Sequence, residues 1–416
     1  MRSDRSIDLT EGSIPRNLLR LSLPLMLSNF MQTLYNLIDA FWLGKIGENA
    51  RGAVSSVGTT FPVIFFLSSF GFGLAIAGTA MVARFKGRGN IEKIRESIGQ
   101  YTLLLIIFTV LYLTLSMVFL ENILELLRVP EEIFSTVAGY MRVILVGIAF
   151  MFVFFFFQSF SHGMGDTYTP MKIQVVSVGL NLVLDPLLIF GVGFLPRMET
   201  MGAAYATLIA RILAAVLAMI SMKRHAPHLI PRKENLRPDW PMIKNILRLS
   251  IPASIGHSMT SFGFVFLQSF VNSFGTVVIS AYSIGSRMTS LFMMPAMGIS
   301  RALTSVVGQN LGAKKIDRAE KSVNTAFWII MGIMTVGCSI FFLFGGELTR
   351  FFIDDPEVIT LGKRMFEITA LAANIFGVLF IFNGVFNGAG QTRISMVLNI
   401  ARLWFLRIPL VFILSG

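Results

Sequence analysis

The sequence predicts an all-α polytopic membrane protein made of two parallel six-helix lobes, with the twelfth helix missing from this chain. Three observations predict it. The apolar residues fall in long blocks, the basic residues crowd into alternate loops, and the second half of the chain repeats the first.

Of the 416 residues, 54% are hydrophobic and 14% are charged, and the mean hydropathy is +0.71. A soluble domain carries about 25% charged residues. Eleven apolar blocks lie near 22–43, 55–83, 98–120, 139–161, 173–194, 202–222, 250–271, 281–307, 323–344, 366–386 and 396–416. Blocks on the order of 20 residues cross a bilayer as helices, whereas spanning strands would show alternating segments of about ten. Cys338 is the single cysteine and lies inside an apolar block. It reads as a packing residue, with no disulfide framework or cysteine metal site to build. The opening "MRSDRSIDLTEGSIPRNLLRLSLP" lacks the apolar core and small-residue cleavage site of a signal peptide. The first span is therefore expected to be retained.

Positive charge marks cytoplasmic loops. Arg2, Arg5, Arg16 and Arg20 precede the first span. The second–third loop holds Arg84, Lys86, Arg88, Lys93 and Arg95. The sixth–seventh loop holds Lys223, Arg224, Arg232, Lys233, Arg237, Lys244 and Arg248, and the eighth–ninth holds Lys314, Lys315, Arg318 and Lys321. The opposite loops are sparse, with Lys45, Arg51, Arg128, Arg197, Arg350, Lys363 and Arg364. The chain is thus expected in the plasma membrane with its N-terminus cytoplasmic. The net charge of +12 orients the protein and does not call for a nucleic-acid partner.

"RNLLRLSLP" (16–24) returns as "KNILRLSIP" (244–252), and "VARFKGRGNIEKIRESI" (82–98) as "VGQNLGAKKIDRAEKSV" (307–323). "RVPEEI" (128–133) matches "DDPEVI" (354–359), and "HGMGDTYTPM" (162–171) matches "NGAGQTRISM" (387–396). Such a repeat fixes the architecture. An even number of spans per half makes the halves parallel, a plan used by secondary transporters with the substrate site between halves. The repeat predicts an N-lobe over 1–222, a cytoplasmic linker over 223–249 and a C-lobe over 250–416. The counterpart of span 202–222 would follow Gly416, which reads as a fragment one helix short.

Asn29, Gln32, Asn36 and Asp39 share one face of the first span at 3.6 residues per turn. Gln174, Ser177, Asn181 and Asp185 form a similar stripe on the fifth. At 1.5 Å rise per residue the two aspartates differ in depth by roughly a turn, so they are expected to meet inside the N-lobe. Interhelical hydrogen bonding, worth about 0.6 kcal/mol per bond, accounts for Ser177 or Asn29 alone. Intramembrane carboxylates more often face a cavity and mark ion pathways. The repeat supplies a control: Leu267 stands where Asp39 stands, and His257, Thr260 and Phe264 replace Asn29, Gln32 and Asn36. A carboxylate required by the shared fold would occur twice. Asn181 and Gln32 can hydrogen-bond either protonation state, and the same oxygens suit Na⁺, so these residues leave H⁺ and Na⁺ both open.

These residues resemble the multidrug and toxic compound extrusion (MATE) transporters over essentially the whole chain. The resemblance rests on the aspartate of the first span, "NLVLDPLLIFGVG" (181–193), "GAAYAT" (202–207) and the paired "GMGDT" and "GAGQT" turns. It implies an antiporter that exports amphipathic organic cations by alternating access, coupled to H⁺ or Na⁺. Similarity to the DinF-like branch implies an ion-coupling cluster of Asp39, Asp185, Asn181, Gln32 and Thr207. The NorM-like branch places acidic residues in the seventh and tenth spans. Here the seventh has none and the tenth only Glu367 near its start, which favours N-lobe coupling to protons.

Tyr35, Asn36, Asn29 and His257 are candidate cavity-lining residues, His257 also serving packing. Arg287, Arg301 and Arg402 lie within spans and face the interior or snorkel. "HGMGD" (162–166) reads as a turn rather than a metal site, and "GFGLAIAG" (71–78) as close helix packing rather than a nucleotide loop. The expected partners are small amphipathic molecules and the bilayer, the coupling ion replaces any cofactor, and a monomer is expected. A lipid-linked oligosaccharide flippase of the same superfamily is the alternative, though Arg287, Arg301 and Arg402 are too scattered for a pyrophosphate cavity. A non-transporting membrane protein would leave the polar stripes idle. No HExxH helix, paired GxGD aspartyl motif or serine–histidine pairing supports an enzyme.

Overall fold

Turn chemistry sets where the helices begin. The Asp166 carboxylate accepts hydrogen bonds from the backbone amides of Tyr168 and Thr169, both at 3.0 Å. Asn90, Asp239 and Asp355 likewise accept from Lys93, Met242 and Glu357 amides at 2.9, 3.2 and 2.9 Å. Such caps satisfy amides that have no partner within the helix. The two repeat-equivalent turns use a left-handed glycine, Gly165 at φ +79° and Gly390 at φ +71°.

A computed structural model describes residues 6–46, 50–127, 129–193 and 196–415. Arg2, Arg5, Arg128, the side chain of Arg51 and the final residues of the fifth and eleventh predicted spans lie outside the described residues. The described residues contain helices and no strand. The helices are α1 (Ile14–Leu43), α2 (Ala50–Gly87), α3 (Ile91–Val118), the short α4 (Leu120–Leu126), α5 (Glu131–Gly163), α6 (Tyr168–Phe190) and α7 (Glu199–His225). After two 3₁₀ turns in the linker come α8 (Trp240–Val271), α9 (Thr276–Gly312), α10 (Ile316–Arg350), α11 (Pro356–Gly388), α12 (Thr392–Ile400) and α13 (Ile408–Ser415). A π-helical segment, Ala401–Arg407, joins α12 and α13 into one span. The eleven predicted spans are each found as helix. Nine of them are long and apolar enough to cross a membrane by length and composition among the described residues. The first helix of each repeat, α1 and α8, falls outside that set. Both trade apolar residues for polar ones, Asn29 to Asp39 in α1 and His257 to Ser261 in α8.

Those two helices pack across the repeat boundary. Leu18, Leu21 and Leu25 of α1 share a core with Ile299 and Leu303 of α9, Ile330 of α10 and Phe366 of α11. Met242 and Ile246 of α8 join the core built by α2, α3, α5 and α7. Small residues allow this approach, as at other membrane-helix contacts. A Cβ on Gly73 of α2 would lie 2.5 Å from the Ser254 backbone nitrogen of α8, and one on Gly298 of α9 would lie 2.6 Å from Met26 of α1.

The same exchange closes the end bearing the basic loops. A Cβ on Gly87 would fall 1.9 Å from the Gln309 carbonyl oxygen, and one on Gly312 would fall 2.2 Å from that of Arg84. Gly87 and Gly312 are repeat equivalents, as are Arg84 and Gln309. The segment from Ile7 to Gly12 lies across this junction. Leu9 is fully buried; its amide donates to Gln309 Oε1 at 3.0 Å and its carbonyl accepts from Asn310 at 3.2 Å. Lys86 Nζ donates to the Ile7 and Met164 carbonyls at 3.2 and 2.5 Å. Arg318 Nη2 donates to the Glu11 and Gly12 carbonyls at 2.6 and 2.8 Å. Burial alone would raise the Asp8 carboxyl, but hydrogen bonds from Thr10 and the charges of Lys86 and Lys315 hold it below its ordinary value. That depression stabilises the strap at pH above the ordinary carboxylate range and is lost as pH falls through the lowered value.

One position breaks the repeat at a cost. Lys314 has φ +60°, the left-handed region, where its repeat equivalent is Gly89 at φ +68°. A side chain there costs about 1–2 kcal/mol that glycine avoids. Lys314→Gly is expected to raise the thermal midpoint of the detergent-solubilised protein by a few degrees, read by intrinsic fluorescence; an unchanged or lowered midpoint refutes it.

Candidate functional site

Three helices of the first repeat converge on the two aspartates. Asp185 is fully buried, Asp39 and Asn181 are nearly so, and Thr207 of α7 is 3% exposed. Asn181 Nδ2 donates to Asp185 Oδ1 at 3.1 Å. Tyr35 Oη and Thr207 Oγ1 are 2.7 Å apart and share a hydrogen bond. Asp39 is close enough to Asp185 for their charges to interact. Among the described residues, Asp39 Oδ1 and Asp185 Oδ2 are buried with no hydrogen-bond partner. Two unsatisfied buried carboxylate oxygens are costly unless a proton or cation meets them.

The local sequence explains the positions. Pro186 has no backbone N–H and leaves the Leu182 carbonyl without its usual helical donor, adding an acceptor one turn from Pro186 on the helix that carries Asp185. Ser177 Oγ donates to the Ala210 carbonyl at 2.8 Å and ties α6 to α7. Gly202 brings α7 against α6: a Cβ there would lie 2.5 Å from the Leu188 carbonyl oxygen.

Two neighbours escaped the sequence reading. The Arg211 guanidinium on α7 lies within electrostatic reach of Asp39 and Tyr35. Gly147 on α5 leaves room for it, since a Cβ there would lie 3.1 Å from Arg211 Nη1. Tyr140 on α5 is buried and within reach of both aspartates. Arg211 had a signal, a lone charge in "GAAYATLIARILAAVLA" (202–218). Tyr140 had none, because an aromatic in an apolar helix is the common case.

The first stripe divides among different partners. Asp39 turns toward α6 and α7. Gln32 accepts from Gln174 Nε2 at 3.2 Å on an exposed face, and Asn36 is exposed. Gln32 therefore stands apart from the buried carboxylates by about two turns. Asn29 instead accepts from Arg301 Nη1 of α9 at 3.2 Å. His257 stacks on Phe72 of α2, ring centroids 4.8 Å apart, and so lies at the α2–α8 contact between repeats. Among the described residues no cluster of three or more His, Cys, Asp or Glu side chains could hold a metal.

The second repeat is apolar at the matching place. Leu267 packs against Leu403 and Ile408, and Ile408 precedes Pro409 as Asp185 precedes Pro186. Leu267→Asp is expected to destabilise by several kcal/mol, because it buries a charge with no partner. Reduced yield and a lowered thermal midpoint would report it; a wild-type midpoint would refute it.

Two parallel helical repeats, with a pair of carboxylates buried in the first, belong to a polytopic membrane transporter rather than an enzyme. The MatE family model matches residues 24–187 and 252–413, one match per repeat. The chain belongs to the MatE family of multidrug and toxic compound extrusion transporters. It is 28% identical over 413 residues to the probable multidrug resistance protein YoeA of Bacillus subtilis, covering 98% of this chain and 88% of that protein. It is 30% identical over 405 residues to the probable multidrug resistance protein NorM of Thermotoga maritima, covering 96% and 86%. The fold matches the crystal structure of a MATE transporter in the straight conformation with a TM-score of 0.88 at 24% identity, covering 99% of this chain and 91% of that one.

Proposed function

We propose that the protein is an antiporter that exports amphipathic organic cations by alternating access, coupled to protons through Asp39 and Asp185. The observation that carries the reading is the pair of buried carboxylates in one repeat, each with an oxygen lacking a hydrogen-bond partner among the described residues. Asn181 positions Asp185, the Tyr35–Thr207 hydrogen bond ties α1 to α7, and Arg211 supplies a positive charge within reach of Asp39. With two carboxylates against one guanidinium, the deprotonated cluster carries a net charge of about −1 and suits one monovalent cation. Gln32, Asn36 and Asn29 lie on the path from this cluster along α1 toward the other repeat. The basic end faces the cytoplasm of a plasma-membrane protein, so the closed end described above is the inner one. Both repeats lie in one chain, so a monomer suffices.

The test is efflux of ethidium from proteoliposomes holding the full chain, under an imposed proton gradient or an imposed sodium gradient. Efflux is expected under the proton gradient and at least tenfold slower with Asp39→Asn. Efflux driven by sodium alone moves the coupling to Na⁺. Undiminished transport by Asp39→Asn sinks the role of the site.

A further inference from the structure

A second polar site lies at the opposite end of the helices from the aspartates. At the basic end, a cavity of about 430 Å³ is lined by Arg84 of α2, Arg88 of the turn that follows it, Asn245 and Arg248 of α8, and Thr392 and Arg393 of α12. This volume falls in the range of small-molecule sites, about 300–1,000 Å³. No carboxylate lines it among the described residues, and none of its four arginines has an ion pair among them. Arg84 and Arg88 lie within reach of each other's charge. Gathering like charges round one cavity is unfavourable unless an anion offsets them.

Two buried groups lack partners here. Thr392 is 1% exposed, and its Oγ1 has no hydrogen-bond partner. Arg84 Nε is also buried and unpartnered. Thr392 is the first residue of α12, so the free amides of that helix start point to the same place, as at other anion sites. The turn before it is shaped to admit Arg84: Gly390 has φ +71°, and a Cβ there would lie 3.2 Å from Arg84 Nη1. Guanidinium groups match phosphate oxygens in two-point hydrogen bonding.

We infer that this cavity binds a phosphate or pyrophosphate group, held by Arg84, Arg88, Arg248 and Arg393 and by the Thr392 hydroxyl at the α12 N-terminus. The group belongs either to a soluble phosphorylated compound or to the headgroup of an anionic lipid in the leaflet at the basic end. Bound there, it ties α2 of the first repeat to α8 and α12 of the second and favours the closed state of that end. The inference does not depend on which ion the aspartates carry.

The experiment titrates inorganic pyrophosphate into the purified full chain at constant ionic strength, followed by calorimetry. It is run in nanodiscs of phosphatidylcholine with and without phosphatidylglycerol. Arg248→Gln and Arg393→Gln are the main variants, because both side chains are exposed and leave the core intact; Thr392→Val probes the buried hydroxyl. Saturable binding that weakens at least tenfold in each arginine variant, and several-fold in Thr392→Val, establishes the site for a soluble phosphate. If phosphatidylglycerol blocks pyrophosphate and raises the thermal midpoint of wild type but not of Arg393→Gln, the occupant is a lipid headgroup in the same cavity. Equal behaviour of wild type and both arginine variants toward pyrophosphate and lipid overturns the inference.

Discussion

Asp39→Asn and Asp185→Asn are each expected to reduce gradient-driven efflux at least tenfold, and the double variant to be no worse than either alone. Groups that act as one unit give strongly non-additive losses, while independent sites add within about 0.5 kcal/mol. The two carboxylates qualify as a unit because their charges interact and each keeps one oxygen without a partner. Asparagine preserves the shape and removes the exchangeable charge, so ethidium affinity, measured by fluorescence polarisation, is expected to stay within about threefold while transport falls; a threefold change is only about 0.7 kcal/mol. Additive losses in the double variant would mean two separate pathways. An equal loss of affinity would mean that the aspartates hold the substrate rather than the ion.

The second large effect is expected at the basic end. Gly87→Ala and Gly312→Ala each place a methyl about 2 Å from a backbone carbonyl oxygen of the facing helix, and a carbonyl held in a helix cannot swing away. Overpacking of this kind costs about 1–3 kcal/mol, enough to shift an open–closed balance roughly 5- to 150-fold. Spin-label distances across α2 and α9, measured with Cys338 replaced by serine, are expected to lengthen at this end. Because the two glycines are repeat equivalents that meet each other's partner helix, their effects should be alike in size. Unchanged distances in both variants would show that the closed junction tolerates a side chain and is not held by the glycine contacts.

Arg301→Ala is expected to act differently from either pair. It removes the donor to Asn29 that joins α9 to α1, and loss of one such bond to a charged group costs about 1.5–3 kcal/mol. The thermal midpoint should fall by several degrees while the N-lobe cluster is left intact. An unchanged midpoint would show that the Arg301–Asn29 bond contributes nothing.

Much of this protein was legible in its sequence because helices and repeats are written locally. The apolar blocks fixed where the spans run, since a backbone in lipid must satisfy its own hydrogen bonds. The +3, +4 spacing put Asp39 on one face of α1 and Asp185 on one face of α6, and depth along each helix followed from the rise per residue. The missing carboxylate at Leu267 singled out the first repeat, which is where the buried pair lies. Tertiary structure alone decided which residues meet. It brought Tyr35 to Thr207 and set Arg211 and Tyr140 beside the aspartates. It divided one stripe between α6 and Arg301, and it packed α1 and α8 into the opposite repeat's core. Those contacts join residues far apart in the chain, and they depend on where glycines let two helices close to van der Waals distance, which no periodicity along one helix encodes.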